Sequence, residues 1–472
     1  MSKDSDKREA ESKSGSAEDA PKVEKSTRNN FDRSSSELRQ SILNSVEGSG
    51  ALDLDSPADG PDRRDATKGT TRRDVMRYTG AVSGLLATVP LLGRAFSATT
   101  KIRWAKVQGE WEYRKVPRAW KEQLEQARRT KQKVKRSHWD DRNVIGIGLT
   151  ESKRNRGFSS ELDGFDVRVG VRDADAAPAI PDEVDGIDIQ VREKGEPELL
   201  SACDDYGKEP CANKIEPDEV VGGLFVYTDG GDHPYGHGTL GAMGWHGEFG
   251  TVGITANHLV GEREYDDHCD IENYKSNLPE WKQYCRGLGP TVDTNDEELY
   301  EDMMKIDTHL VEFEEGNHSR TAANKIQEPN YGEGTGEQYE VTGHYSKSGL
   351  AFLCDSDPKG IRKTGIRTGT TVGEIEECEV DWTPKNPECI QLTDGVVVDG
   401  EMGEGDSGSM TYKVVGDEQN RVNIVSMLIG RYPESVGEIE DCHGDEVVQE
   451  GFVGPPAWKM ANKLGITFSS TD

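Results

Sequence analysis

Three residues of the kinds that carry out nucleophilic acyl transfer stand at wide spacing in this chain: His258, Asp307 and Ser407. Ser407 lies in Gly403-Glu404-Gly405-Asp406-Ser407-Gly408-Ser409, where glycines give the backbone turns that are closed to other residues. His258 sits near the end of the apolar run Val252-Gly253-Ile254-Thr255-Ala256-Asn257-His258-Leu259-Val260, and Asp307 falls in Lys305-Ile306-Asp307-Thr308-His309-Leu310-Val311-Glu312-Phe313, whose alternation reads as a strand. A serine hydroxyl is a poor nucleophile near neutral pH and needs a positioned base to take its proton. An imidazole, with an ordinary pKa of about 6.5, can take and return that proton when a carboxylate fixes its tautomer. The N–H groups of Gly405 and Ser407 would face the charge developing on the attacked oxygen, a contribution of about 3 kcal/mol per donor in such sites.

The order His, Asp, Ser, with gaps of 49 and 100 residues, is one of three orders used by unrelated folds that share this chemistry. The segments themselves resemble the chymotrypsin/trypsin-like serine protease family in its prokaryotic, exported form. The resemblance rests on Gly405-Asp406-Ser407-Gly408, on Thr255-Ala256-Asn257-His258 with Asn257 where Ala is usual, and on Asp307-Thr308-His309-Leu310 with His309 in a slot that is normally small. It implies a mainly β fold, a chymotrypsin-like double β-barrel, and a serine endopeptidase acting on polypeptides, with His258, Asp307 and Ser407 as triad and Gly405 and Ser407 as oxyanion hole. It also implies Glu401 at the floor of the specificity pocket, favouring Lys or Arg in the substrate, and Ser426 near Asp307 in a strand over 423–430 that pairs with substrate backbone. Gly238-Thr239-Leu240-Gly241 resembles the strand and turn before the family's catalytic His. Val220-Val221-Gly222-Gly223 resembles the terminus that some members free by cleavage, but Glu219 precedes it and it reads as an ordinary strand entry. The histidines His233, His237, His246 and His309 are read as solvated or locally hydrogen-bonded, with His246 and His309 as the alternative bases. The departures at Asn257, Thr308-His309 and Ser409-Met410 keep open a second reading, a protease-fold peptide-binding or surface protein that does not cut.

The elements that must position these residues occupy the second half of the chain. Residues 215–470 read as the protease-like domain, many short strands between Gly, Asp and Asn turns, closed by a helix over 456–464. Before it come a polar tail over 1–70 whose composition cannot bury enough apolar surface to order itself, a twin-arginine export signal over 71–98, a basic helical stretch over 99–140 and a small α/β module over 141–200 that resembles one preceding the protease domain in some prokaryotic trypsin-like proteins. The signal places the mature protein outside the cell or at its surface; an uncleaved apolar segment 78–92, short for a bilayer span, would instead anchor it to a membrane. Residues 101–138 hold 13 Lys or Arg against four Glu. Their helical part, over 117–135, is read as a strap or pro-segment docking on an acidic catalytic domain, or as a solvated or membrane-surface helix.

A net charge of −31 with only 33% apolar residues reads as a surface suited to high salt, and it argues against nucleic-acid partners, because phosphate repels it. Eight cysteines in an exported chain suggest disulfides: Cys203 with Cys211, Cys269 with Cys285, and up to two more among Cys354, Cys378, Cys389 and Cys442. Without a CxxC pair or a His-rich spacing, neither a metal site nor another cofactor is expected. Oligomeric state is not legible.

Overall fold

The computed structural model describes residues 98–469 apart from 155, 157, 160, 196–197, 200–218, 230–236, 260–279, 284–285, 295, 314–320, 329–335, 383–389, 391, 404, 417–419, 432–437, 441–445 and 449–450. The polar tail, the export signal up to residue 97, Glu404 and six of the eight cysteines therefore lie outside the described residues. The two cysteines within them, Cys354 and Cys378, are buried free thiols that contact one another.

The molecule is mainly β: among the described residues one extended sheet carries most strands, beside two four-stranded sheets and one two-stranded sheet. The stretch read as basic and helical divides in two. Alternation and a Gln108-Gly109 turn, both residues at positive φ, make Thr99–Val107 and Glu110–Pro117 a hairpin, and the helix begins only at Arg118. Helix Arg118–His138 buries Trp120, Leu124, Ala127, Lys131 and Val134, a stripe at three- and four-residue spacing. Its basic residues face acid: Arg128 pairs with Glu379, while Lys131 (2.9 Å) and Lys135 (2.7 Å) share Asp381. The helix is thus held against strand Gly369–Trp382 rather than solvated all round.

Strands Val144–Glu151, Phe165–Val171 and Ile187–Glu193 follow, and the first pairs with Gly369–Trp382 while Thr99–Val107 pairs with Gln338–Tyr345. Residues 99–194 are therefore built into the same sheet as the strands around Ser407. Their shared core includes Trp120, Phe165, Val167, Phe352, Ile361, Val396 and Val425. A second core, with Val226, Leu240, Ile254, Trp281, Tyr300 and Leu310, lies under the sheet of Ala242–His246, Gly250–Ala256 and Thr308–Glu312.

The run 305–313 is not a continuous strand. Helix Glu297–Lys305, capped by the Asp296 carboxylate on Glu298 N–H and Leu299 N–H, ends in a turn that contains Asp307, and the strand starts at Thr308. The helix and the cap override the alternation that Ile306, Thr308 and Leu310 suggest. The C-terminal helix is Ala457–Lys463. No helix among the described residues is long and apolar enough to cross a membrane.

Candidate active site

Strand Gly250–Ala256 delivers His258 on a single 3₁₀ turn, Asn257–Leu259. Its neighbour Thr308–Glu312 pairs antiparallel with it, Ala256 opposite Thr308, so the turn just before that neighbour brings Asp307 against His258. Asp307 is fully buried and sits at φ +50°, a backbone state costly for a residue with a Cβ. That turn aims both carboxylate oxygens one way: Oδ1 accepts the backbone N–H of His258 (2.8 Å) and Oδ2 accepts Nδ1–H of its ring (2.5 Å). The Nδ1 proton is thereby fixed, leaving Nε2 as acceptor. Ser407 Oγ lies 2.8 Å from Nε2 and donates to it.

Ser407 comes from the turn between strands Leu392–Asp399 and Met410–Val414. Gly405 and Gly408 there have φ of +97° and +88°. A Cβ on Gly408 would lie 2.3 Å from the Thr239 carbonyl oxygen, so only glycine fits. Strand His237–Leu240 supports the turn from beneath: Thr239 N–H donates to Ser407 O (2.9 Å) and Thr239 Oγ1 to Gly405 O (3.0 Å). Within the turn, Asp406 N–H, Gly408 N–H and Ser409 N–H each reach a carbonyl. Among the described residues no such acceptor is recorded for Gly405 N–H or Ser407 N–H, the two groups expected to face an oxyanion.

Asp406 anchors the turn from the other side. Its buried carboxylate pairs with the equally buried Lys363 (2.7 Å) and accepts Arg367 N–H (2.9 Å), Thr368 Oγ1–H (2.6 Å) and Gly403 N–H (3.0 Å). A lone Lys in a strand has no sequence signature, and no motif points to Lys363. The counter-charge for Asp406 thus comes from within the chain, and Val220 lies buried in strand Glu219–Gly222.

The two unusual residues beside the triad prove to be partners. His309 Nδ1–H donates to Asn257 Oδ1 (3.2 Å), and its Nε2 accepts from Thr291 Oγ1 (2.8 Å) and Trp281 Nε1 (3.2 Å). Complete burial pushes the His309 pKa down to about 3, so this imidazole is neutral. His246 is half-buried on the far end of its strand and its Nδ1 accepts from Glu248 N–H and Phe249 N–H; neither histidine bonds Ser407. Ser409 Oγ donates to Asp406 O (2.5 Å).

Ser426 lies inside strand Arg421–Met427 and shares its hydroxyl with Thr411 Oγ1 (2.7 Å), whereas the oxygens of Asp307 are taken by His258. Glu401 is half-buried, and its carbonyl accepts Thr371 Oγ1–H.

No protein-family model matches the sequence, and no curated protein matches it. Among solved structures, the chain is similar to Thermobifida fusca protease A (14% identity, 54% of this chain and all of that one, TM-score 0.32), to Nocardiopsis protease (13%, 53% and all, 0.33) and to Cellulomonas bogoriensis chymotrypsin (15%, 54% and all, 0.31).

Proposed function

We propose that this chain is an exported serine endopeptidase that cuts polypeptides through an acyl-enzyme on Ser407. The observation that carries the reading is the unbroken line of hydrogen bonds from Asp307 through His258 to Ser407, 2.5 Å at Nδ1 and 2.8 Å at Nε2. In this reading Ser407 Oγ attacks the peptide carbonyl as its proton passes to His258 Nε2. Asp307 stabilises the imidazolium, and Gly405 N–H and Ser407 N–H stabilise the oxyanion. The proton then goes to the leaving amine, and water activated by His258 releases the acid. Glu401 and Ser426 would act in substrate binding, Glu401 by favouring a cationic side chain; Glu401→Gln should then lose Lys and Arg preference against a leucine substrate.

The decisive test is labelling by a fluorophosphonate in molar salt, followed by peptide mapping. Label on Ser407 is expected, with none in Ser407→Ala. Asp307→Asn should cut turnover by about 10⁴-fold through the wrong His258 tautomer. A folded protein that takes no label in any form would instead be a protease-fold binding protein.

A further inference from the structure

The basic stretch over 101–138 divides its charges between two uses. Arg128, Lys131 and Lys135 meet Glu379 and Asp381 and hold their helix to the sheet. For Lys101, Arg103 and Lys121 no carboxylate at ion-pair distance is recorded among the described residues, although the chain holds 88 acidic residues against 57 Lys and Arg. All three line one cleft of about 610 Å³. Strand Thr99–Val107 carries Lys101 and Arg103 two residues apart, hence on one face, and strand Glu110–Pro117 sets Tyr113 opposite Arg103 with Trp111 on the same side. Lys121 comes from the start of helix Arg118–His138. Lys347 and Trp458, from the helices Lys347–Ser356 and Ala457–Lys463, complete the set. None of these five elements carries His258, Asp307 or Ser407.

The lining is of two kinds only where charge and rings are concerned. Four cations stand in it and no Asp or Glu does. Lys347 alone has acid partners, Asp394 at 2.8 Å and Glu379 at 3.7 Å. Among the cations stand three aromatic rings. The Arg103 guanidinium lies 5.1 Å from the centre of the Trp111 ring, Lys347 Nζ lies 5.3 Å from that of Trp458, and Tyr113 is 58% exposed, one of the few large apolar side chains left open to solvent. In a chain with this surplus of carboxylates, cations without one in a concave site are placed to meet a carboxylate from outside. The walls concentrate their field, and at physiological ionic strength the acidic surface beyond about 8 Å is largely screened.

We propose that this cleft docks a short acidic segment of a polypeptide that bears an aromatic or other apolar side chain among its carboxylates. The carboxylates would meet Lys101, Arg103 and Lys121, and the apolar side chain would lie against Trp111, Tyr113 and Trp458. Shape and charge favour this occupant over others. The cleft is concave and admits a few residues of chain, whereas an anionic bilayer would meet the acidic surface around it. A long polyanion would likewise run out of the cleft onto carboxylates that repel it. The inference goes beyond the endopeptidase reading and is a matter of binding alone.

The experiment uses the full chain carrying Ser407→Ala, so that no peptide can be cut, and titration calorimetry in about 0.5 M potassium chloride, where exposed charges are only partly screened. The probe is the blocked peptide acetyl-Glu-Phe-Asp-Glu-amide, beside its Gln-Phe-Asn-Gln and Glu-Gly-Asp-Glu counterparts. The probe should bind one to one, the neutral counterpart about tenfold more weakly and the glycine counterpart about fivefold more weakly. Lys101→Glu/Lys121→Glu should weaken the probe at least about tenfold while the neutral peptide is unaffected; Lys101→Gln/Lys121→Gln, with a smaller loss in the same direction, serves if the reversed pair does not fold. Tyr113→Ser should narrow the difference between the phenylalanine and glycine peptides. No binding, equal binding of the neutral peptide, or affinity unchanged in the lysine variants overturns the inference. So does tighter binding of a thymidine octanucleotide or of phosphatidylglycerol vesicles that the lysine variants abolish, since the cleft would then serve a different ligand. Every one of these outcomes leaves the endopeptidase reading to its own test, Ser407 labelling of the wild type.

Discussion

Asn257 and His309 show how two departures from a motif can be one adaptation. Each alone looks like damage next to the triad, yet together they make a buried hydrogen bond that flanks His258 and Asp307. Replacing either one by Ala removes this buried hydrogen bond, at a cost of about 1–3 kcal/mol. The double variant Asn257→Ala/His309→Ala should therefore lose less than the sum of the singles, measured by denaturant unfolding. The same pair gives a pH dependence. His309 has a folded pKa of about 3 against 6.5 when unfolded, so the unfolded chain binds the extra proton, and stability is lost as pH falls from about 6.5 toward about 3. His344, held by burial at about 4, acts with the same sign. The midpoint temperature should drop over that window, and the double variant should drop less steeply while keeping the part due to His344.

Lys363 is the residue of the site that no motif announced, because its meaning lies wholly in the buried carboxylate that it meets 43 positions later. Lys363→Met leaves Asp406 charged and without its ion-pair partner, a loss of about 3–5 kcal/mol. It should also loosen the turn that carries Ser407. Adding Asp406→Asn removes the stranded charge but should recover only part of the stability and not the Ser407 labelling rate, because the amide nitrogen cannot accept from the N–H and O–H donors that surround both carboxylate oxygens. Recovery of both would make the pair a matter of folding alone.

At the level of elements, the sequence was most informative where a residue type is rare and its neighbours are constrained. Glycines around Ser407 and the apolar run before His258 singled out, by their own surroundings, two of the three side chains that the structure brings together. Asp307 meets His258 for a different reason than its apparent strand, since a capped helix carries the chain up to it and a turn at positive φ presents it. The helix over 118–138 was legible from composition, but its partners Glu379 and Asp381 lie some 250 residues on, a distance that no local pattern spans. Its docking yields a direct prediction. Leu124→Ala should cost about 2–5 kcal/mol, and Lys131→Met about 1–3 kcal/mol, because Asp381 keeps Lys135 and the N–H of Asp394 while Glu379 O loses a donor. A helix lying in solvent would give neither loss.

For the whole molecule, the net charge of −31 sets an opposition between two kinds of electrostatics. The carboxylates in excess repel one another through solvent, and added salt weakens that repulsion. The pairs Lys363–Asp406 and Lys131–Asp381 are shielded from solvent and are screened far less. Salt should therefore relieve the unfavourable interactions while sparing these favourable ones, so the midpoint of thermal unfolding should rise as salt is added. The Debye length shrinks from about 10 Å at 0.1 M to about 3 Å at 1 M, so most of the electrostatic gain should come within that interval. Melting curves from 0.1 to 3 M potassium chloride, with Ser407 labelling recorded at each point, check this. A rise that levels off near 1 M fits screening of the carboxylate surface; a rise that continues unabated to 3 M requires ions and water held by the carboxylates themselves; and a flat curve means that the acidic surface contributes nothing to the salt response of the fold.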